Sequence, residues 1–134
     1  MSGFTSFNKL PMRVLVVEDE VLTRTSLAKI LDSYFYEVHY AEDGHIGLEQ
    51  YYKIKPDVIF TDIVMPIMNG IEMLQQINKN GDDKPLIVIF SAFDTTISEE
   101  ELDEIKIFKK MVKPFQISEL EKTINEIKEL NLLQ

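Results

Sequence analysis

The chain has 134 residues, 45% of them apolar and 28% charged, which is room for one domain with a real core and not for two. It contains no cysteine, so disulfides, thiolate metal sites and cysteine nucleophiles are excluded. Its 14 basic and 23 acidic residues leave a net charge of −9, which repels phosphate backbones and anionic lipid; direct binding to nucleic acid or a membrane surface is not expected.

Residues 1–11 are mixed in character and end at Pro11, so they read as an arm. They lack the basic start and apolar run of a signal peptide, and no apolar run in the chain nears the ~20 residues of a membrane span. From Met12 short apolar runs alternate with amphipathic stretches. Arg13 to Val17 is β-branched and almost wholly apolar, the mark of a strand buried on both faces. Glu20 to Tyr34 carries Leu22, Leu27, Ile30 and Leu31 at helical spacing. Glu37 to Ala41 is a second, wetter strand, and Asp43 caps a helix running to about Lys53. Asp57 to Thr61 is a third strand and Gly70 to about Lys79 a third helix. Leu86 to Phe90 is a fourth buried strand, Ile97 to Glu104 a short acidic helix, and Ile107 to Val112 a fifth strand. Gln116 to about Leu130 closes the series, with Leu120, Ile124 and Ile127 facing inward.

The order is strand then helix, repeated to the end of the chain. That pattern predicts an α/β fold, a doubly wound five-stranded parallel sheet with helices on both faces. In such sheets ligands bind beyond the carboxyl ends of the strands, where the strand order reverses. The residues found there are Glu18-Asp19-Glu20 after the first strand, Thr61-Asp62 after the third, Ser91-Ala92 after the fourth and Lys113-Pro114 after the fifth. Taken singly each has a plain explanation, since acidic residues suit helix N-termini and an aspartate often closes a turn. Together they are a chemistry. Clustered carboxylates call for a cation, and an all-oxygen set with open positions suits Mg²⁺. A carboxylate beside such an ion can attack phosphorus, and Lys113 and the Ser91 hydroxyl would then serve the phosphoryl oxygens. Asp57, at the other end of the third strand, is expected to be a turn carboxylate only.

VLVVEDE, PDVIFTDIVMPIMNG, IVIFSAF and MVKPF resemble the four signature segments of the receiver domain of two-component response regulators. The resemblance runs from about Met12 to Leu130, which sets residues 1–11 apart as an arm, 12–131 as the receiver domain and 132–134 as a tail. It implies a flavodoxin-like (βα)5 fold and a bacterial, cytoplasmic signalling protein rather than an enzyme with a turnover substrate. It implies Asp62 as phosphoacceptor; Glu18, Asp19, Asp62 and the backbone carbonyl of Val64 as ligands of Mg²⁺; and Ser91 and Lys113 as the phosphate-contacting pair. It further implies a cis Lys113–Pro114 bond. The implied partners are a sensor histidine kinase or phosphotransfer protein and an effector domain or downstream protein, with room for a phosphorylation-dependent homodimer.

The chain departs from the family pattern at Lys110, where the family usually carries an aromatic ring that turns inward on activation. Phe108 lies two residues earlier and, by strand alternation, on the same face. The positions two after the phosphoacceptor and two after the hydroxyl are Val64 and Phe93, both apolar, which implies slow self-dephosphorylation. His39 and His45 have no acidic or histidine partner at ligand spacing, Met65, Met68 and Met73 read as packing residues, and Tyr51-Tyr52 as partly buried. A flavodoxin-like electron carrier is excluded by the acidic first loop, a dinucleotide enzyme by the absence of G-x-G-x-x-G, and an aspartate phosphohydrolase by the absence of D-x-D. A receiver that binds partners without phosphorylation remains the alternative.

Overall fold

The run that opens the sheet, β1 (Leu10–Val17), is buried without interruption from Val14 to Val17. Such a run is stable only where helices cover both faces of the strand. The computed structural model, which describes residues 9–80, 84–92, 98, 100 and 104–132, has that arrangement. In chain order its elements are β1, α1 (Val21–Tyr34), β2 (Phe35–Ala41), α2 (Gly44–Ile54), β3 (Val58–Asp62), α3 (Gly70–Asn80), β4 (Leu86–Ala92), β5 (Lys109–Lys113) and α4 (Ile117–Leu132). The five strands form one parallel sheet in the order β2-β1-β3-β4-β5. The order reverses at β1, whose neighbours are β2 on one side and β3 on the other.

Side-chain alternation along the strands sorts the interior into two cores. Val14, Val16, Val58, Phe60, Val88 and Phe90 meet Leu27 and Leu31 of α1 and Leu120, Ile124 and Ile127 of α4. Leu15, Val17, Ile59, Ile87 and Ile89 meet Tyr51 of α2 and Ile71, Met73, Leu74 and Ile77 of α3. The expected inward residues of the last helix are all buried. Leu22 is not: at 76% exposure it sits in the first turn of α1, on an open surface shared with Phe115 and Ile117.

Several boundaries differ from the sequence expectation. β1 starts at Leu10 rather than Arg13, because Leu10 pairs with Phe35; the register is irregular between Leu10 and Arg13, where Pro11 has no N–H to donate. β2 starts at Phe35 rather than Glu37, since the chain passes from α1 into the extended C-cap Phe35 with no turn between. β3 ends on Asp62 and β4 on Ala92, so Asp62 and Ser91 belong to the strands themselves. β5 spans Lys109–Lys113 rather than Ile107–Val112. The acidic helix expected over 97–104 lies outside the described residues, apart from Ser98, Glu100 and Glu104. Phe108 does not share the outlook of Lys110: it is half-buried against the core that holds Met111, whereas Lys110 is exposed.

Two loops are fixed by local chemistry. Asp43 accepts a hydrogen bond from the Ile46 N–H at 2.8 Å, the expected cap of α2. Asn69 and Glu72 form a reciprocal capping box at the start of α3, with Glu72 N–H donating to Asn69 Oδ1 at 2.8 Å. Gly70, which follows, is required there, because a Cβ on it would lie 2.0 Å from the Asp62 carbonyl oxygen.

Candidate functional site

The carboxyl ends of β1, β3, β4 and β5 bring Glu18, Asp62, Ser91 and Lys113 to one edge of the sheet. Glu18 follows β1 directly and is fully buried, its N–H bonded to the Ala41 carbonyl at 3.0 Å. Asp62 is 7% exposed; its Oδ1 accepts from the Ile63 N–H at 2.6 Å and its Oδ2 from Lys113 Nζ at 2.8 Å. The same ammonium donates to Glu18 Oε1 at 2.6 Å and lies 5.3 Å from the centroid of the Phe90 ring. Asp19 is exposed, yet ligand oxygens of Glu18, Asp19 and Asp62 all lie within 4.8 Å of one another. Among the described residues this is the one group of three or more acidic or histidine side chains able to hold a metal ion. Glu20 stays apart from it, its carboxylate accepting a hydrogen bond from the Thr23 hydroxyl.

Three negative charges against one ammonium leave the site short of positive charge. Burial, and then the neighbouring Asp62 carboxylate, push the Glu18 carboxyl up to about 7 despite the opposing pull of Lys113. Burial works against the Lys113 ammonium, but the Asp62 and Glu18 carboxylates outweigh it and raise its pKa. Two buried oxygens in this region, Glu18 Oε2 and Ser91 Oγ, have no hydrogen-bond partner among the described residues. Buried oxygens are seldom left so. The donor set therefore fits a hard cation: three carboxylates close together, one oxygen of which is unclaimed.

Of the other residues singled out in the sequence, Val64 is 65% exposed on the β3–α3 loop and Phe93 lies outside the described residues. The Lys113–Pro114 bond is cis. Asp57 is exposed, and its Oδ2 accepts the Arg13 N–H at 2.8 Å. Met65 and Met73 are buried and Met68 packs against the same core. Tyr51 is buried while Tyr52 is 48% exposed. The histidines were expected to lack acidic partners, and this needs correction. His39 Nε2 is 2.7 Å from Glu37 Oε2, two residues away on the same strand face, and His45 Nε2 is 3.5 Å from Glu49 Oε1, one helical turn on.

Sequence reasoning missed Arg24. Its guanidinium donates to the backbone carbonyls of Glu18 at 2.9 Å and Asp19 at 3.3 Å, tying the acidic loop to α1. The available signal was a cation in the first turn of a helix, which the helix dipole disfavours unless a local partner compensates.

The family model for the response regulator receiver domain matches residues 14–125. The chain belongs to the response regulator receiver domain family. Over 80 residues, 60% of this chain, the receiver is 36% identical to the response regulator MprA of Mycolicibacterium vanbaalenii, of which that match covers 35%. The receiver thus spans about a third of the length of the curated relatives it matches. Among solved structures it is similar to the N-terminal domain of an uncharacterised Wolinella succinogenes protein, with 34% identity and a TM-score of 0.83 over 91% of this chain and 98% of that one. It is also similar to the response regulator protein TrrA of Thermotoga maritima, solved in complex with Mg²⁺ and BeF, with 28% identity and a TM-score of 0.73 over 85% of this chain and 96% of that one. No helix among the described residues of the receiver is long and apolar enough to cross a membrane.

Proposed function

We propose that this receiver takes a phosphoryl group onto Asp62 from the phosphohistidine of a cytoplasmic sensor histidine kinase or phosphotransfer protein, in a Mg²⁺-dependent reaction. The product would alter the surface offered to an effector domain or downstream protein. The observation that carries the reading is the junction of Asp62 with Glu18 through a shared lysine, with Asp19 beside them.

Glu18, Asp19, Asp62 and the Val64 backbone carbonyl would hold the ion. Bound there, Mg²⁺ supplies neutralisation of the clustered carboxylates and of the incoming phosphoryl oxygens. The Ile63 N–H fixes the Asp62 carboxylate through Oδ1, so the nucleophile is held in one orientation. A carboxylate oxygen forms a bond to phosphorus while the phosphorus–nitrogen bond of the donor breaks, and the departing imidazole nitrogen keeps the electron pair. Lys113 carries a full positive charge at 2.8 Å from Asp62 Oδ2 and balances the charge of the transferred group. The Ser91 hydroxyl, buried and without a partner among the described residues, would donate to a phosphoryl oxygen.

The test is labelling by acetyl phosphate, or beryllofluoride binding, in Mg²⁺ buffer. The native chain is expected to acquire one phosphoryl group and Asp62→Asn none. Equal labelling of the two overturns the assignment.

A further inference from the structure

The sheet has two edge strands, and they are not alike. β5 carries Lys109, Lys110 and Lys113 along its five residues. Lysines on an edge discourage pairing with another strand. β2, at the opposite edge, reads Phe35-Tyr36-Glu37-Val38-His39-Tyr40-Ala41 and contains no lysine, proline or described bulge of its own. Tyr36 is 65% and Tyr40 60% exposed, an unusual display of aromatic area on an open edge. Among the described residues no strand lies outside it.

The backbone of β2 is set up for a further partner. The Glu18 N–H takes the Ala41 carbonyl on the β1 side. Alternation along the strand therefore turns the N–H and C=O groups of Tyr36, Val38 and Tyr40 outward.

The side chains say which partner fits. Read about Val38, the segment Tyr36-Glu37-Val38-His39-Tyr40 is its own antiparallel complement. In that register Tyr36 stands opposite Tyr40 of a second copy, Glu37 opposite His39, and Val38 opposite itself. Aromatic pairs, opposite charges and β-branched pairs are the cross-strand combinations that stabilise antiparallel sheets. A twofold axis makes the Tyr36–Tyr40 and Glu37–His39 contacts occur twice, with the Val38 pair on the axis itself. Beside the strand, Lys29 and Asp32 of α1 line the same flank as Val38 and Tyr40, so charges of both signs again face a copy.

We infer that β2 is a self-association edge: two copies of this chain pair antiparallel along Tyr36–Tyr40 about a twofold axis through Val38, joining their sheets into one of ten strands. The inference is independent of the chemistry at Asp62. Within one copy, Glu37 holds His39 at 2.7 Å and Arg13 Nε at 3.7 Å, so pairing exchanges a Glu37–His39 hydrogen bond in cis for the same contact across the axis. No charge is left buried without a counterpart.

The absence of native cysteine makes the register directly readable in the full chain. Residues opposed in an antiparallel pair have Cα atoms about 5.5 Å apart when they exchange hydrogen bonds, which a disulfide spans. Val38→Cys is therefore expected to give a covalent dimer on mild oxidation. Tyr36→Cys or Tyr40→Cys alone is not, because each meets its own copy only about 13 Å along the strand, whereas a mixture of the two should cross-link. Sedimentation equilibrium of the native chain should show a reversible monomer–dimer equilibrium. Glu37→Lys should weaken it at least about tenfold, and Glu37→Lys combined with His39→Glu should restore it. A native chain that stays monomeric, a dimer that Val38→Cys does not trap, or Tyr36→Cys linking as readily as Val38→Cys each overturns the inference.

Discussion

β3 is bracketed by two aspartates that the structure treats in opposite ways. Asp57, just before the strand, is exposed and hydrogen-bonded to backbone: its carboxylate takes the Arg13 N–H at 2.8 Å and its carbonyl the Leu86 N–H at 2.9 Å. Asp62, at the strand's other end, is buried and shares an ammonium with a second, fully buried carboxylate. The residue type is the same and the strand is the same. What differs is the end of a parallel sheet on which each lies. At the carboxyl ends the strands hand over to helix-entry loops, which gather side chains from β1, β3, β4 and β5 at the point of order reversal. At the amino ends no such gathering occurs around Asp57, whose carboxylate ties the start of β3 to the backbone of β1.

The sharpest break of this comparison exchanges the two carboxylates for amides. Asp62→Asn is expected to abolish phosphoryl labelling altogether. Asp57→Asn should label like the native chain and lose only about 1 kcal/mol of stability for its hydrogen bond, measured by urea denaturation. Labelling that depends on Asp57 would dissolve the distinction.

Mg²⁺ should likewise favour one end only. An ion that binds the native state selectively stabilises it by about 2.7 kcal/mol at a hundredfold excess over Kd. A rise in Tm is expected for the native chain and for Asp57→Ala. Asp19→Ala, which removes the most exposed of the three clustered carboxylates, should abolish it. A rise that survives Asp19→Ala would place the ion elsewhere.

The site also carries a pH signature. Glu18 is raised to about 7, chiefly by burial and then by Asp62. Between its ordinary value of 4.5 and about 7 the folded chain holds a proton that the unfolded chain has released. The native state is therefore favoured below this window, and metal-free stability falls as pH rises through it. Mg²⁺ must displace that proton, so the Tm rise it causes should be smaller at about pH 6 than at about pH 8. Glu18→Gln should flatten the metal-free slope. A Mg²⁺ response equal at both pH values would contradict the raised Glu18 pKa.

Sequence patterning made most of this legible where burial is two-sided. The runs at Arg13–Val17, Asp57–Thr61 and Leu86–Phe90 read as strands, and placing them in order put Glu18, Asp62, Ser91 and Lys113 at one edge. The edges and ends were less legible. β2 gains Phe35 and Tyr36 because pairing with β1 sets its length, and hydropathy does not report pairing. Leu22 has the right spacing for a core residue but sits exposed in the first turn of α1. Phe108 sits in the bend before β5, so strand alternation does not yet govern it. Arg24 acts through backbone carbonyls, which carry no sequence identity.

The smallest expected effect concerns how long Asp62 would keep its phosphoryl group. Hydrolysis requires a water in line behind phosphorus, opposite the Asp62 oxygen that departs. The loop after Asp62 carries two exposed apolar side chains, Val64 and Ile67, and neither can hydrogen-bond a water. Val64 lies two residues from Asp62. Ile67 lies five away and occupies a left-handed conformation with φ 71°, closed by a hydrogen bond from Met68 N–H to the Pro66 carbonyl at 2.8 Å. An amide at position 64 could orient the water, and one hydrogen bond worth about 1 kcal/mol in the transition state is roughly fivefold in rate. Val64→Asn is therefore expected to shorten the phosphoryl lifetime several-fold. Ile67→Asn is the matched control, because asparagine tolerates the left-handed region better than a β-branched residue. It should raise Tm and leave the lifetime unchanged. Phosphoryl decay followed for the two variants beside the native chain separates proximity from polarity. Equal acceleration by both would mean that any polar group on the loop suffices, and no change in Val64→Asn would remove Val64 from the control of hydrolysis.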